Sequence, residues 1–132
     1  MDTFHAVFGQ LPTEYATLRI VAGPNDVNAT GDIFGGWLMA QADITGSIVA
    51  VRRIRGRVVT VAVEHFHFIK PVLVGDVVSI YSNIHSLGKS SVTVTVSIYI
   101  ERKPIHDVLV EKVAQGQFIY VHIDEAGQPR TI

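Results

Sequence analysis

The residue most suited to catalytic chemistry in this sequence is Asp43, the only ionisable side chain between Ile33 and Val51. That run is too long for a typical strand and long enough for about five helical turns, so it predicts one long, largely apolar and buried helix. A carboxylate in such surroundings needs either a polar partner or a change of protonation. It can act as a general base or as a nucleophile. We therefore predict a functional site at Asp43, with a carboxylate merely satisfied by a neighbouring Ser, Thr or Asn as the structural alternative.

Two consecutive glycines, Gly35 and Gly36, stand where this helix would begin. The first N–H groups of a helix lack intrahelical acceptors, and the helix dipole is positive there, so they can stabilise an oxyanion. Without side chains, the glycines also let a carbonyl group approach closely. Close packing of the helix on a sheet would explain the same two residues.

The elements that must position these groups follow from the rest of the pattern. After Gly56 the chain is rich in β-branched residues, and 91–100 alternates as a half-buried strand does. Residues 1–13 show no clear period and are expected to form a loose start. Thr30 or Asp32 is a candidate N-cap of the helix. Predicted strands cover 15–22, 57–69, 75–87, 91–100 and 108–123, the helix runs from 33 to between 53 and 56, and a loop covers 103–107.

This order of elements, a strand, a long helix and then further strands, indicates the fold class. Strands joined by short turns pair antiparallel, and one antiparallel sheet must cover one apolar helix. We predict an α+β chain with a single domain over 1–132: a hot-dog fold, in which a curled antiparallel sheet of about five strands wraps one long central α-helix. Strand 57–69 is apolar on both faces, which predicts a covering partner subunit and at least a homodimer.

The composition argues against several classes of function. A length of 132 residues with 48% hydrophobic and 17% charged residues fits one globular domain rather than a disordered chain. A net charge of -1 argues against binding nucleic acid or acidic membranes. The absence of Cys removes disulfides and thiolate chemistry and, without a signal peptide, suggests the cytoplasm. His65 and His67 are too few ligands for a metal site.

Several short segments are together similar to one known family. The chain resembles the YciA-type acyl-CoA thioesterases of the hot-dog superfamily over about residues 15–132. The resemblance implies hydrolysis of acyl-CoA to CoA and a free acid, without a metal or a redox cofactor, at a site shared between subunits. The segments that carry it are NATGDIFGGW (28–37), QAD (41–43), GRVVTVAVE (56–64), FIKP (68–71), VGD (74–76), GKSS (88–91) and RTI (130–132).

The resemblance also implies roles for individual residues. Asp43 matches the catalytic carboxylate, and Asn28 matches an asparagine that faces it from the opposing subunit. An Asx-turn is the commoner role of an Asn in such a loop. The turn at 88–91 is predicted to hold the phosphates of CoA, although a simple hairpin turn would explain it as well. The predicted CoA-binding residues are Gly35, Thr60, Gly88, Lys89, Ser90 and Ser91.

The spacing along the helix adds a geometric argument. Gly36 and Asp43 lie about 10 Å apart along one helix, which is too far for both to serve one carbonyl carbon. If two helices pack antiparallel across a two-fold axis, Gly36 of one subunit can face Asp43 of the other, and Asn28 accompanies Gly36. We therefore expect composite sites in a symmetric dimer, assembled further into a tetramer or a hexamer.

Two other functions remain open from the sequence. A hot-dog hydratase or dehydratase would need a His near the helix carboxylate, and neither the helix nor the loop before it contains one. A non-catalytic module would bind acyl-CoA without turnover. Thiol release from acyl-CoA separates the thioesterase from both alternatives.

Overall fold

The chain folds around the helix that the sequence predicts. The computed structural model describes residues 6–103 and 107–132, and its helix α1 covers Gly35–Ile54. A single 3-10 turn at Pro24–Asp26 precedes it. In chain order the strands are β1 (Ala6–Phe8), β2 (Leu18–Val21), β3 (Arg57–Phe68), β4 (Val77–Leu87), β5 (Ser91–Arg102) and β6 (Asp107–Ile123).

Strand β6 is the centre of the sheet. Strand β5 pairs antiparallel with one of its edges, and β3 pairs antiparallel with the C-terminal part of the other. Strands β4 and β2 continue the sheet beyond β5, again antiparallel. The antiparallel order is therefore β3-β6-β5-β4-β2, and α1 packs across β3, β4, β5 and β6. This arrangement confirms the predicted hot-dog fold.

Three local predictions need correction. Residues 6–8 are not part of a loose start, because they form β1, which runs parallel to β6 with Ala6 opposite Asp107. Neither Thr30 nor Asp32 caps the helix; Phe34 occupies the N-cap without a side-chain hydrogen bond. Of the predicted loop at 103–107, residues 104–106 lie outside the described residues, as do 1–5, and Asp107 already belongs to β6.

One face of the helix makes the core with the sheet. It carries Leu38, Ala42, Thr45, Gly46 and Ala50, all buried. Three of these residues are small, which lets the sheet approach the helix closely. Against them lie the inward-facing residues of β4, β5 and β6, among them Ile80, Val92, Val94, Val96, Ile98, Phe118 and Tyr120.

The opposite face of α1 and the strand next to it remain open in a single chain. Ile44 on the helix is 51% exposed, and Val61 on β3 is 54% exposed. The sequence pattern predicted a helix buried almost all round, whereas one subunit covers only part of it. Strand β3 pairs with β6 along one edge, and its other edge pairs with no strand among the described residues. No described residue covers either surface, and exposed apolar patches of this kind are typical of protein–protein interfaces.

The corner where β4 begins is fixed by a buried carboxylate. Both oxygens of Asp76 accept hydrogen bonds from Arg102, at 2.8 Å from Nε and 2.6 Å from Nη2. One of them also accepts the Leu73 N–H at 2.9 Å. The hydrogen bond to Asp76 raises the pKa of Arg102, against the opposing effect of burial. The ion pair thus ties the end of β5 to the turn that enters β4.

Candidate active site

The Asp43 carboxylate is held by two hydroxyl groups from the sheet. Thr60 donates its hydroxyl hydrogen bond to Oδ1 at 2.7 Å. The Tyr120 hydroxyl lies 2.8 Å from the backbone carbonyl oxygen of Asp43 and 3.1 Å from the same Oδ1. The other carboxylate oxygen, Oδ2, accepts no hydrogen bond from any of the described residues. The expected polar partner therefore exists, and it leaves one oxygen of the carboxylate available.

The register of the sheet explains why these two hydroxyls meet Asp43. Thr60 on β3 lies opposite Tyr120 on β6, so both side chains point to the same face, the one covered by the helix. Immediately after Thr60 the pairing slips by one residue, so that Val61 is the extra residue of a β-bulge. A bulge re-aims the strand locally, and bulges are frequent beside active sites.

Tyr120 is a hydrogen-bond donor at any working pH. Its side chain is fully buried, and burial raises its pKa strongly, with a further contribution from the charge of Asp43 and the hydrogen bond to it. The phenol therefore stays protonated. Sequence analysis missed this residue because Tyr120 sits in the alternating apolar pattern of β6 and is indistinguishable from a core aromatic. A phenol that alternation places on the buried face does need a partner, and that requirement was the available signal.

A cavity of about 320 Å³ opens beside the carboxylate. Along the helix it is lined by Gly36, Met39, Ala40 and Asp43, which share one face of α1. Thr60, Val63 and Phe118 from the sheet complete the lining. Asp43 is thus at one end of a short, mostly apolar trough, and Gly36 is at the other.

The helix start presents free donors, and its two glycines differ. The N–H groups of Gly35 and Gly36 donate to no acceptor among the described residues. A Cβ atom at Gly35 would lie 3.0 Å from the ring of Phe68, so close packing accounts for this glycine. A Cβ atom at Gly36 would meet nothing within 4 Å. Gly36 is therefore open to a ligand, whereas Gly35 has a packing role and its predicted contact with CoA stays a prediction.

Asn28 is anchored in its loop by its side-chain oxygen. Oδ1 accepts hydrogen bonds from the N–H and hydroxyl of Thr30, at 2.9 and 2.8 Å, and from the N–H of Asp32 at 3.1 Å. This is the expected Asx-turn. The amide NH2 group of Asn28 donates to no acceptor among the described residues. Asn28 can therefore be a turn former and still present a donor outward.

Asn28 and Asp43 line different cavities in a single chain. Asn28 and Gly35 line a second cavity of about 320 Å³, and residues 68–72 form another part of its lining. Asp43 does not line that space, and Asn28 does not line the trough beside Asp43. One subunit therefore does not bring these two predicted site residues together.

A tight turn joins β4 to β5 near the part of the sheet that contacts Asp43. It consists of Gly88, Lys89, Ser90 and Ser91. The Gly88 N–H donates to the Ser91 carbonyl oxygen at 2.8 Å, which closes a tight turn. The Ser90 and Lys89 carbonyl oxygens accept from the N–H groups of His122 and Ile132. Ser91 pairs with Val121, the neighbour of Tyr120. The backbone of the turn is thus held from inside the sheet, and the Lys89 side chain projects into solvent.

The described residues hold neither a cluster of metal ligands nor a helix that could cross a membrane. No group of three or more His, Asp or Glu side chains in that part of the chain is arranged to bind a metal ion. No helix within it combines the length and the apolar character that crossing a bilayer requires.

Comparison with known proteins identifies the family. Residues 30–104 match the model of the thioesterase superfamily. The chain is 42% identical to the acyl-CoA thioester hydrolase YciA of Escherichia coli K12, an alignment that covers 100% of this chain and 98% of that protein. The crystal structure of the hexameric thioesterase y2039 from Yersinia pestis is 44% identical, covers 92% of this chain and 98% of its own, and superposes with a TM-score of 0.82.

A further structure is more distant. The acyl-CoA hydrolase of Staphylococcus aureus, in complex with butyryl coenzyme A, coenzyme A and coenzyme A disulfide, is 28% identical with a TM-score of 0.78, over 86% of this chain and 68% of its own. Taken together with the fold and the carboxylate site, these matches show that the chain belongs to the thioesterase superfamily and, within it, to the YciA-type enzymes. The resemblance seen in the sequence is therefore confirmed, and with it the expectation of an enzyme of the thioester hydrolase class.

Proposed function

We propose that this protein hydrolyses acyl-CoA thioesters to CoA and a free carboxylic acid, with Asp43 as the catalytic carboxylate. The observation that carries the proposal is that the two oxygens of this carboxylate have different surroundings. Hydroxyl donors occupy Oδ1, whereas Oδ2 accepts no hydrogen bond from the described residues and Asp43 borders the trough. The names of the relatives point to the same substrate class.

The reaction needs a group that delivers oxygen to the thioester carbon and donors that accept the developing charge. As a general base, Asp43 removes a proton from water, which adds to the carbonyl carbon; the C–S bond then breaks and the CoA thiolate leaves with a proton. As a nucleophile, Asp43 forms a mixed anhydride as the thiolate leaves, and water then cleaves the anhydride. In both routes the Gly36 N–H at the positive end of α1 stabilises the oxyanion.

Single-turnover hydrolysis in heavy-oxygen water tests the nucleophilic route. If water cleaves the anhydride at the aspartyl carbon, one labelled oxygen stays in the Asp43 carboxylate, a result that a general base does not give. Cleavage at the acyl carbon places the label in the acid product, as a general base does, so that label in Asp43 is the diagnostic outcome. Mass spectrometry of the peptide that contains Asp43 reads the result.

We propose that the complete site forms between two subunits. Gly36 and Asp43 are separated along one helix, and Asn28 and Asp43 line separate cavities in one chain. A second copy on the exposed side of α1 and on the free edge of β3 would cover Ile44 and Val61. Asn28 and the Gly36 N–H would then come from one subunit and Asp43 from the other. The hexameric state of the Yersinia relative supports further assembly of such dimers into a hexamer.

The CoA phosphates are proposed to bind at the turn 88–91. The Lys89 and Ser90 carbonyl oxygens accept hydrogen bonds from the N–H groups of Ile132 and His122, so that the exposed Lys89 ammonium and the Ser90 hydroxyl remain for a ligand. Lys is a frequent phosphate partner. Thr60, which was predicted to bind CoA, contacts Asp43 in the structure, and its contact with CoA remains a proposal.

Thiol release across a panel of acyl-CoA chain lengths tests the function. We expect steady release of free thiol with at least one member of the panel. Tight binding of acyl-CoA without any release would instead indicate a binding module. A hydratase is disfavoured because the trough beside Asp43 and the space beside Asn28 are lined by no described His.

Complementation tests the composite site. Mixing Asn28→Ala protein with Asp43→Ala protein under conditions that exchange subunits creates heterodimers with one doubly damaged and one intact site. Activity should recover to about a quarter of the wild-type value per subunit if pairing is random. Verified heterodimers that stay inactive, while each variant is folded and dimeric, would show that the two residues do not act across the interface.

A further inference from the structure

The Tyr120 hydroxyl contacts two oxygen atoms of the same residue. It lies 2.8 Å from the backbone carbonyl oxygen of Asp43 and 3.1 Å from Oδ1, so its single proton is shared between them. A donor that contacts both the main chain and the side chain restricts the side-chain torsions that connect them. The carboxylate is therefore tied to its own helix backbone through a group of the sheet.

The phenol itself has little freedom to move. Tyr120 lies on the central strand with neighbours on both sides, Thr60 on β3 and Val92 on β5, and its side chain is fully buried. Its ring is nearly parallel to that of Phe118, with a centroid separation of 6.4 Å. Thr60, in contrast, is an exposed residue on the edge strand. Of the two donors to Oδ1, Tyr120 is the one whose position the core fixes.

Gly46 makes room for this contact. A Cβ atom at position 46 would overlap the Tyr120 hydroxyl oxygen and lie 3.2 Å from the ring carbons Cε2 and Cζ. Glycine in a helix interior is intrinsically unfavourable by up to about 1 kcal/mol relative to Ala. Its presence one turn after Asp43 is explained by the approach of the hydroxyl, and not by helix formation.

We propose that Tyr120 is a positioning residue for the thioesterase reaction, acting by fixing Oδ1 of Asp43 so that Oδ2 faces the thioester. The role rests on the proposed function of Asp43. Tyr120 itself does not touch the substrate, because it is fully buried behind the carboxylate. Gly46 contributes to the same arrangement, because the absence of a Cβ atom there leaves room for the Tyr120 hydroxyl.

The first test is Tyr120→Phe, which removes the hydroxyl and keeps the ring. We expect kcat to fall about 10- to 100-fold, the scale of a lost hydrogen bond to a charged group, with KM for acyl-CoA within about twofold. Tyr99→Phe is the matched control, because the Tyr99 hydroxyl has no hydrogen-bond partner among the described residues and its ring contacts Tyr81 instead. The control should retain wild-type kcat.

The second test is a double-mutant cycle with Gly46→Ala. Alone, this change should displace the hydroxyl and lower kcat about tenfold or more, although Ala favours the helix. In the Tyr120→Phe background it should change kcat less than about threefold, because there is no longer a hydroxyl to displace. Additive losses would indicate that the two residues act separately and would overturn the proposal.

The outcomes separate this proposal from the proposed function. If wild-type protein releases no thiol with any acyl-CoA, the function itself fails. If Asp43→Asn abolishes release while Tyr120→Phe keeps wild-type kcat, or changes only KM, the positioning role fails alone. If Tyr120→Phe does not fold, Gly46→Ala decides: wild-type kcat in that variant overturns the role, and a selective loss of kcat supports it.

Discussion

Two aspartates in this molecule are held by short hydrogen bonds, and they are held differently. Asp76 is buried, both of its oxygens are occupied, and its main partner is the opposite charge of Arg102. Asp43 is partly exposed, its hydrogen bonds come from two neutral hydroxyls, and both reach the same oxygen. A fully neutralised carboxylate stabilises the fold but has no oxygen left for chemistry. A carboxylate oriented through one oxygen by neutral donors leaves its other oxygen available.

The largest expected effect is on the reactive carboxylate. Asp43→Asn should lower kcat by at least about 100-fold, the scale of a missing base or nucleophile, and should leave the melting temperature nearly unchanged. Steady-state thiol release and thermal unfolding measure the two quantities. Turnover close to wild type on the best acyl-CoA would remove Asp43 from the mechanism.

The reverse pattern is expected at the structural carboxylate. Asp76→Asn should lower the free energy of unfolding by about 3 kcal/mol, since it leaves Arg102 without its charged partner. Denaturant unfolding measures this change. The kcat of the folded fraction should stay close to wild type, and a selective loss of kcat without a loss of stability would contradict the distinction drawn between the two aspartates.

The hydroxyl of Thr60 offers a finer test of how Asp43 is held. Thr60→Val keeps the shape of the side chain and removes the donor, so kcat should fall about tenfold, the effect of a lost hydrogen bond to a charged group. Thr60→Ser keeps the donor and should retain more activity than Thr60→Val. Equal activity of the two variants would show that the hydroxyl contributes nothing.

The smallest effect is expected away from the reacting atoms. Lys89→Ala should raise KM for acyl-CoA more than it lowers kcat, because a remote phosphate contact contributes uniform binding. Acyl-pantetheine, which lacks the nucleotide, should not distinguish the variant from wild type. Lys103→Ala, at another exposed lysine, is the control. Equal impairment on both substrates would mean that the turn does not hold the phosphates.

The sequence predicts the long elements of this fold well and the short ones poorly. Strands β3 to β6 and α1 begin and end within a few residues of their predicted limits, because each carries a long apolar pattern with clear turn residues at its ends. Strand β1 has three residues and exists through parallel pairing with β6, a partner far away along the chain. No local pattern encodes such a contact.

In the candidate site, too, the features with a local sequence signal were predicted, and those that depend on distant contacts were not. Asp43 stands out because one charged residue in an apolar helix is a local signal, visible without the fold. The contacts that Thr60 and Tyr120 make with it depend on the register between β3 and β6, and register is a property of the folded sheet. The helix cap was misjudged because the helix begins at Gly35, so that Phe34 holds the N-cap position and Thr30 and Asp32 belong to the preceding loop.

The edge of β3 that pairs with no strand among the described residues also has a consequence for a newly synthesised chain. An unpaired edge flanked by apolar residues such as Val59 and Val61 is a template for aggregation until another strand covers it. In a newly synthesised chain, association with a second copy therefore competes with aggregation with other unfolded chains. Expression yield should consequently depend on local subunit concentration and temperature, and substitutions that blunt this edge with a charge should keep the monomer dispersed while preventing assembly.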